Sequence, residues 1–435
     1  MRSSWAVISL VFLGLTSLPG LARAQAAPSV TLEALLEAGR KHHPSLAKQP
    51  LLAQSLELTT AKLNRAYWPQ LSLGGQATWQ SEVTSINIPI PGLKVTPPAK
   101  DQYRATVDLK QSLWDGGVTS DQKLVAQSRA RVEHEKVNVE WLQVRERILQ
   151  LYFAGVVQQE LEAQARALQT NLGAVVDKAE LALKSGTLTE RDVLLARGKQ
   201  LEARQSLAEA SAQLAGVRRS LEDLTGAKLA DQAVLTTPTS PCAAPLQHPA
   251  AGSLRRPELA LLNAQSQLLA AQEQLDRSVD HPHLGLFATG GYGRPGLNFL
   301  NNSFELYFIG GVQLTVPLTY LYAGTHRNGG EQLAVQRSLV ERERENVVQQ
   351  VNLQLDSQTT ELRRLDAVIS LDDELLQVRE RARKQTELQL EHGTASMTDL
   401  INDLTQEDLA HSRRAVHHAQ RDLACQELAL IKGDQ

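Results

Sequence analysis

The chain is poor in the residues that staple or fill small globular cores. Only two of its 435 residues are cysteine and two methionine, and aromatics make up 4%. Cys242 and Cys425 form no disulfide framework, and the sequence leaves open whether they pair. An excess of one charge is missing too: 45 Lys and Arg stand against 48 Asp and Glu. That is not the basic balance of a nucleic-acid binder. After the first 24 residues no run of about 18 apolar residues occurs, so no helix is expected to cross a bilayer. Residence in a membrane would therefore require a closed barrel, which also satisfies every backbone group in lipid. No nucleophile, base and orienting acid stand out. The pairs His42–His43, His281 with His283, and His417–His418 lack Cys or acidic partners at ligand spacing, and adjacent histidines on a helix point apart. Gly290-Gly291-Tyr292-Gly293 follows a strand but precedes a loop, which argues against a phosphate cradle. The expectation is no enzyme, no cofactor and no metal.

At the start, Arg2, the apolar run Trp5 to Leu18 and Ala22-Arg23-Ala24 lay out a secretory signal over residues 1–24. Beyond it, two stretches stand out in a chain otherwise patterned for helix. Residues 67–114 read as a β-hairpin in which Leu71, Leu73, Gly75, Ala77 and Trp79 share one face. Ser72, Gly74, Gln76, Thr78 and Gln80 share the other. Val107, Leu109 and Leu113 alternate with Thr106, Asp108, Lys110 and Ser112 on the return. Residues 283–318 repeat the device, with Phe304, Leu306, Phe308, Val312, Leu314 and Leu318 at one parity. A period of two sustained this far marks strands facing two different solvents. The connecting loops are placed at Ser81 to Asp101 and Gly291 to Ser303. Trp68, Trp79 and Trp114 fall at strand ends, where interfacial aromatics belong.

Long helical patterns flank both hairpins. A short helix begins after Thr31, a plausible type of N-cap, and a second runs from Pro44 to about Ala66. Its counterpart runs from Pro257 to about Val279. The first long pattern extends from Val118 to Lys184, about 100 Å at 1.5 Å per residue. Val125, Val132 and Val139 mark one seam, resumed after a slip by Val157, Leu161, Leu168 and Val175, which is coiled-coil behaviour. Ser185-Gly186-Thr187 turns the chain, and Leu207, Leu214 and Leu221 line the return helix to Thr225-Gly226. The second copy runs from Thr325 to about Glu391 with Val351, Leu355, Leu362, Leu365 and Ile369 on a stripe. It turns at His392-Gly393-Thr394 and returns with Leu409, Val416, Leu423 and Leu430 at sevens. The unit is present twice, over residues 25–228 and 254–435, with helical hairpins at 118–226 and 325–432. The linker 229–253 carries Pro238, Pro241, Pro245 and Pro249.

This order resembles the outer membrane efflux, or TolC-like, family over essentially the whole mature chain. The residues that carry the resemblance are Thr31-Leu32-Glu33-Ala34-Leu35, His43-Pro44-Ser45-Leu46, Trp68-Pro69-Gln70-Leu71 and Leu113-Trp114-Asp115-Gly116-Gly117. The turn segments Gly186 to Leu194 and Gly393 to Ile401 complete them. Four strands cannot close a barrel, for which about eight is the lower limit, so the residues alone allow two copies or three. The resemblance implies three. It implies a mainly helical fold with membrane β: a trimeric twelve-stranded barrel continuing into a periplasmic α-helical barrel, with the 229–253 linker in an equatorial region. It further implies the exit duct of a tripartite efflux or type I secretion system in the outer membrane. Its partners there are a periplasmic adaptor, an inner-membrane transporter and outer membrane lipid. Adaptor docking would fall on Gly186, Thr187, Gly393 and Thr394. The family's periplasmic gate lies at aspartates one and two turns past the second Gly-Thr turn; by position Asp399 keeps the first and Asn402 replaces the second. Asp192 is the equivalent in the first copy. The competing reading is a periplasmic coiled-coil adaptor or scaffold, which would need the long hairpins but not the two-faced strands.

Overall fold

The computed structural model describes residues 29–84, 97–237, 254–299, 301–318 and 325–433. The leader 1–24, most of the first inter-strand loop and the proline-rich stretch of the linker with Cys242 lie outside them. Cys425 is disulfide-bonded. In chain order come β1 (Ser29–Val30), α1 (Leu32–His42), α2 (Pro44–Asn64), β2 (Gln70–Trp79), β3 (Asp101–Trp114), α3 (Val118–Lys184) and α4 (Glu190–Thr225). Then follow β4 (Val234–Leu235), α5 (Pro257–Ser278), β5 (His283–Arg294), β6 (Glu305–Thr315), α6 (Thr325–Glu391) and α7 (Met397–Lys432).

Both hairpins join one antiparallel sheet in the order β2-β3-β5-β6. Opposed residues of antiparallel strands point to the same side, so the register decides the faces. Leu73, Val107, Gly290 and Phe308 form one row, and Gly75, Ala105, Tyr292 and Leu306 the next. Large side chains thus sit beside small ones across an outward apolar surface on which Leu73 and Leu306 are each 83% exposed. The opposite face carries Ser72, Asp108 and Thr289 in one row. There Asp108 accepts hydrogen bonds from Thr106 at 3.1 Å and Thr289 at 2.6 Å, tying the two hairpins together. The second loop is shorter than the sequence suggested. β5 continues to Arg294 because Gly291 and Gly293 pair with Tyr307 and Glu305.

The helices pack as two long hairpins, α3 with α4 and α6 with α7. Their core is a set of clusters strung along the rods rather than a single centre. One gathers Leu172, Val176 and Ala179 against Ala196, Ala203, Met397 and Leu400. Another sets Ile148, Tyr152 and Phe153 against Leu32, Leu35 and Leu221. A third joins Leu254 and Leu259 to Val351, Leu355, Leu365 and Leu428. Tyr152 is fully buried, and its hydroxyl donates to the carbonyl of Val30 at 3.0 Å while also meeting that of Thr236. One side chain thereby pins the parallel β1–β4 pair to α3.

The expected seams need correction. On α6 all five stripe residues are buried. On α3 Val132 and Val175 are buried as expected, but Val137 is buried where Val139 is only half-buried, and Ala165, Leu172 and Ala179 join the lower stripe, on which Leu161 and Leu168 are half-buried. On α4 Leu214 and Leu221 are buried but Leu207 is half-exposed, and Ala203 and Ala210 fill its role. On α7 Leu409 is 40% exposed, while Ala410, Ala419 and Ala424 are buried. Alanine occupies these sites because small side chains let helix backbones approach closely, and a search for large apolar residues passes over it. α4 also starts at Glu190, later than the turn itself, since residues 187–189 are spent on capping.

At the base of the sheet Gly116 adopts φ +67°, and a Cβ there would lie 2.5 Å from the His281 Cβ and 3.1 Å from the Pro282 carbonyl oxygen. The His281 ring nitrogen Nδ1 donates to the Gly116 carbonyl at 2.7 Å, so this contact joins the two copies. Gly186 has nearly the same backbone, φ +73°, but open space around it. Gly186→Ala is expected to cost only the left-handed penalty of about 1–2 kcal/mol. Gly116→Ala should cost about 1–3 kcal/mol more through overpacking, and chemical denaturation of the two variants side by side checks the difference.

Candidate functional site

Two regions carry the candidate residues, and the local chemistry of the turns comes first. α3 ends as Gly186 N–H donates to Leu183 O at 3.0 Å and Thr187 N–H to Ala182 O at 3.0 Å. The Thr187 hydroxyl adds a bond to Ala182 O at 2.9 Å. α6 ends in the same way. Gly393, at φ +71°, donates to Leu390 O at 3.0 Å, and Thr394 donates to Gln389 O from N–H at 2.9 Å and from its hydroxyl at 3.1 Å. Glycine supplies the positive φ, and threonine ties off a carbonyl that the helix leaves unsatisfied. Each Gly-Thr pair is therefore a structural cap whose outer surface is exposed.

The two aspartates also do identical work. Asp192 Oδ2 accepts from Thr189 N–H at 3.0 Å and from its hydroxyl at 2.7 Å. Asp399 Oδ2 accepts from Ser396 N–H at 2.9 Å and from its hydroxyl at 2.6 Å. Both close capping boxes on the return helices. Their carboxyls are held below the ordinary value, mainly by the side-chain hydrogen bonds to Thr189 and Ser396. Asn402 is exposed one turn further on. The fold brings the two turns together: Leu188 and Val193 share a cluster with Leu390, Met397 and Leu400, and Lys178 lies 3.8 Å from Glu387.

Sequence reasoning missed the polar ladder that locks α6 to α7 above the second turn. Thr386 donates to Asp403 at 2.6 Å, and Arg383 bridges Glu387 at 3.0 Å and Glu407. His417 pairs with the buried Asp372, which gives that histidine a partner within the hairpin. The Arg383–Glu387 spacing is visible in the sequence. The cross-helix partners become neighbours only once the turn sets the register.

The second region is the sheet. At its loop end Tyr103 and Tyr292 stack on Phe304 at 6.4 and 5.5 Å between ring centroids, and Arg294 lies over Tyr103 and Phe304 while pairing with Asp101. Trp79 is exposed at that end, and Trp68 and Trp114 are exposed at the helical end. The sheet thus carries an apolar band between two aromatic borders, a pattern that transmembrane β-strands share. Among the described residues no helix is long and apolar enough to cross a membrane.

No protein-family model matches the chain. The alkaline protease secretion protein AprF of Pseudomonas aeruginosa is 30% identical over 258 residues, which are 56% of this chain and 50% of that protein. The chain thus matches along about half the length of that curated relative. Among solved structures, the outer membrane protein VceC of Vibrio cholerae aligns with a TM-score of 0.67 over 92% of this chain and 96% of its own, at 16% identity. CusC, whose structures concern folding and transmembrane channel formation, gives 0.69 over 95% and 96% at 15% identity. The chain therefore shares the fold of these neighbours, which are TolC-like proteins.

The capping boxes make a pH-dependent prediction. Because the Asp399 carboxyl is depressed in the folded chain, its contribution is complete above the ordinary value of 3.8 and is lost as pH falls through the lower folded value. Protection of the α7-start amides against exchange, relative to their unstructured rates at the same pH, should fall on acidification below that value, and Asp399→Asn should flatten the dependence. Ser396→Ala should cost about 1 kcal/mol at neutral pH, read as faster exchange confined to the same turn.

Proposed function

We propose that this chain forms the outer membrane exit duct of a tripartite efflux or type I secretion system. Three copies would close a twelve-stranded barrel that continues as a helical tunnel across the periplasm. One observation carries the reading: a four-stranded sheet with a single apolar exposed face and edges at β2 and β6 that are unpaired among the described residues. Open edges in lipid leave backbone groups unsatisfied at several kcal/mol each, so only closure by sister sheets makes such a surface stable there. The polar row around Asp108 would then face the water-filled lumen. Helices of 67 residues extend about 100 Å from the sheet, long enough to carry a conduit well beyond the bilayer. The AprF match and the channel folds support the same reading. A periplasmic adaptor or scaffold would use the helical hairpins, but it has no need of this sheet.

In the duct the paired turns form the periplasmic end. Gly186, Thr187, Gly393 and Thr394 present the surface on which an adaptor docks, and an inner-membrane transporter feeds the complex. Asp399 from each copy would form an acidic ring with Asn402 below it and Asp192 at the flank. The capping geometry leaves Asp399 exposed and ionised, as a ring requires. Gating is a shift of the inner helices that widens this end.

Crosslinking of the mature chain in detergent should stop at three copies, and the oligomer should insert into vesicles and conduct ions. A water-soluble monomer that leaves vesicles intact would overturn the duct. Asp399→Asn should keep the trimer but weaken block by multivalent cations several-fold in single-channel recordings; unaltered block would remove the ring.

A further inference from the structure

The helical part of the chain holds a cluster of cations that the channel reading does not use. α1, α2, α3 and α5 surround a cleft of about 910 Å³ whose lining includes five basic and three acidic side chains. Its position is set by close packing. A Cβ on Gly39 would lie 2.9 Å from Ile148 Cδ1 and 3.5 Å from the Trp141 ring, so α1 sits almost backbone-tight on α3. That contact holds Arg40 near Arg145, two guanidiniums facing one cleft. Arg145 is held below the ordinary arginine value, first by burial and then by the charge of Arg40. Neither arginine has a carboxylate within 4.0 Å among the described residues.

A third guanidinium supplies the buried donor. Arg256 is 7% exposed, and its Nε and Nη2 donate to Glu258 at 3.1 and 2.6 Å. Its Nη1 is buried with no hydrogen-bond partner among the described residues. Burial raises the Glu146 carboxyl against the pull of the Arg256 charge, and Glu146 lines a neighbouring cavity with Gln358 and Glu427. Buried donors are satisfied in nearly all native structures, so an unpaired guanidinium nitrogen on a residue lining the same cleft as Arg40 and Arg145 marks a position suited to an anion.

We propose that this cleft binds a small oxyanion of the phosphate or carboxylate class, held between Arg40 and Arg145 with Nη1 of Arg256 as its buried donor. Guanidinium groups suit such a ligand because their planar forks match two oxygens at once. The residues come from α1, α3 and the start of α5, so the bound anion would fasten the first copy of the repeat to the second. The site is independent of the duct reading and needs neither membrane nor transport to be tested.

The test uses the full mature chain purified in detergent, titrated by calorimetry with sodium phosphate and, in a parallel arm, sodium malonate. Sodium chloride at matched ionic strength is the control. Saturable binding of one anion per chain is expected in either arm, with a rise in unfolding midpoint beyond that in chloride. Arg145→Gln and Arg40→Gln should each weaken binding at least tenfold. Arg40 is exposed and has no ion-pair partner among the described residues, so its variant tests the site even if Arg145→Gln folds poorly. No saturable binding of either anion by the wild-type chain, or equal binding in the wild type and Arg40→Gln, would overturn the proposal.

Discussion

Two sheet edges that pair with no other strand among the described residues govern everything else in this structure. β2 and β6 end a sheet whose outer face is leucine, valine, phenylalanine and tyrosine. In water that face would collapse onto another apolar layer, yet no helix among the described residues covers it. In lipid the face is satisfied and the edges are not. The proposed assembly removes the conflict by giving each edge a partner from a sister chain. The small-beside-large rows, with Gly290 next to Phe308 and Ala105 next to Tyr292, let the surface stay even around such a closed sheet.

The junction between sheet and rods meets the second constraint, since strands and 67-residue helices must join without loose chain. Asp115 does this with few atoms. It accepts from Tyr67 at 2.8 Å, from Gly117 N–H at 3.1 Å and from Thr119 N–H at 2.7 Å, so one carboxylate ends β3 and starts α3. Gly116 beside it receives His281 from the second copy. The four-strand sheet and the paired helices are thereby aligned at one level.

Much of this was legible beforehand, for identifiable reasons. Strand parity at Leu71, Leu73 and Val107 repeats every two residues, and the bounds Val118–Lys184 and Thr325–Glu391 follow from glycine punctuation and the lack of proline. Less legible was the helix interior. Leu207 and Leu409 looked like core and are not, because Ala203, Ala210, Ala410 and Ala419 fill the points of closest approach. The aspartates near the turns were visible as residues, but their capping roles depend on atoms of Thr189 and Ser396 being in reach. The cation cleft was invisible, since Arg40, Arg145 and Arg256 come from three separate elements.

The sequence by itself determined the periodicities: which faces are apolar, where helices start and turn, and that the unit occurs twice. Those are local properties, set by the spacing of side chains along one backbone. Only the tertiary structure decided that two hairpins share one sheet, that Asp108 bridges them, and which small residues lie inside. These depend on register between distant segments, and register is a property of packing that no single stretch of chain encodes.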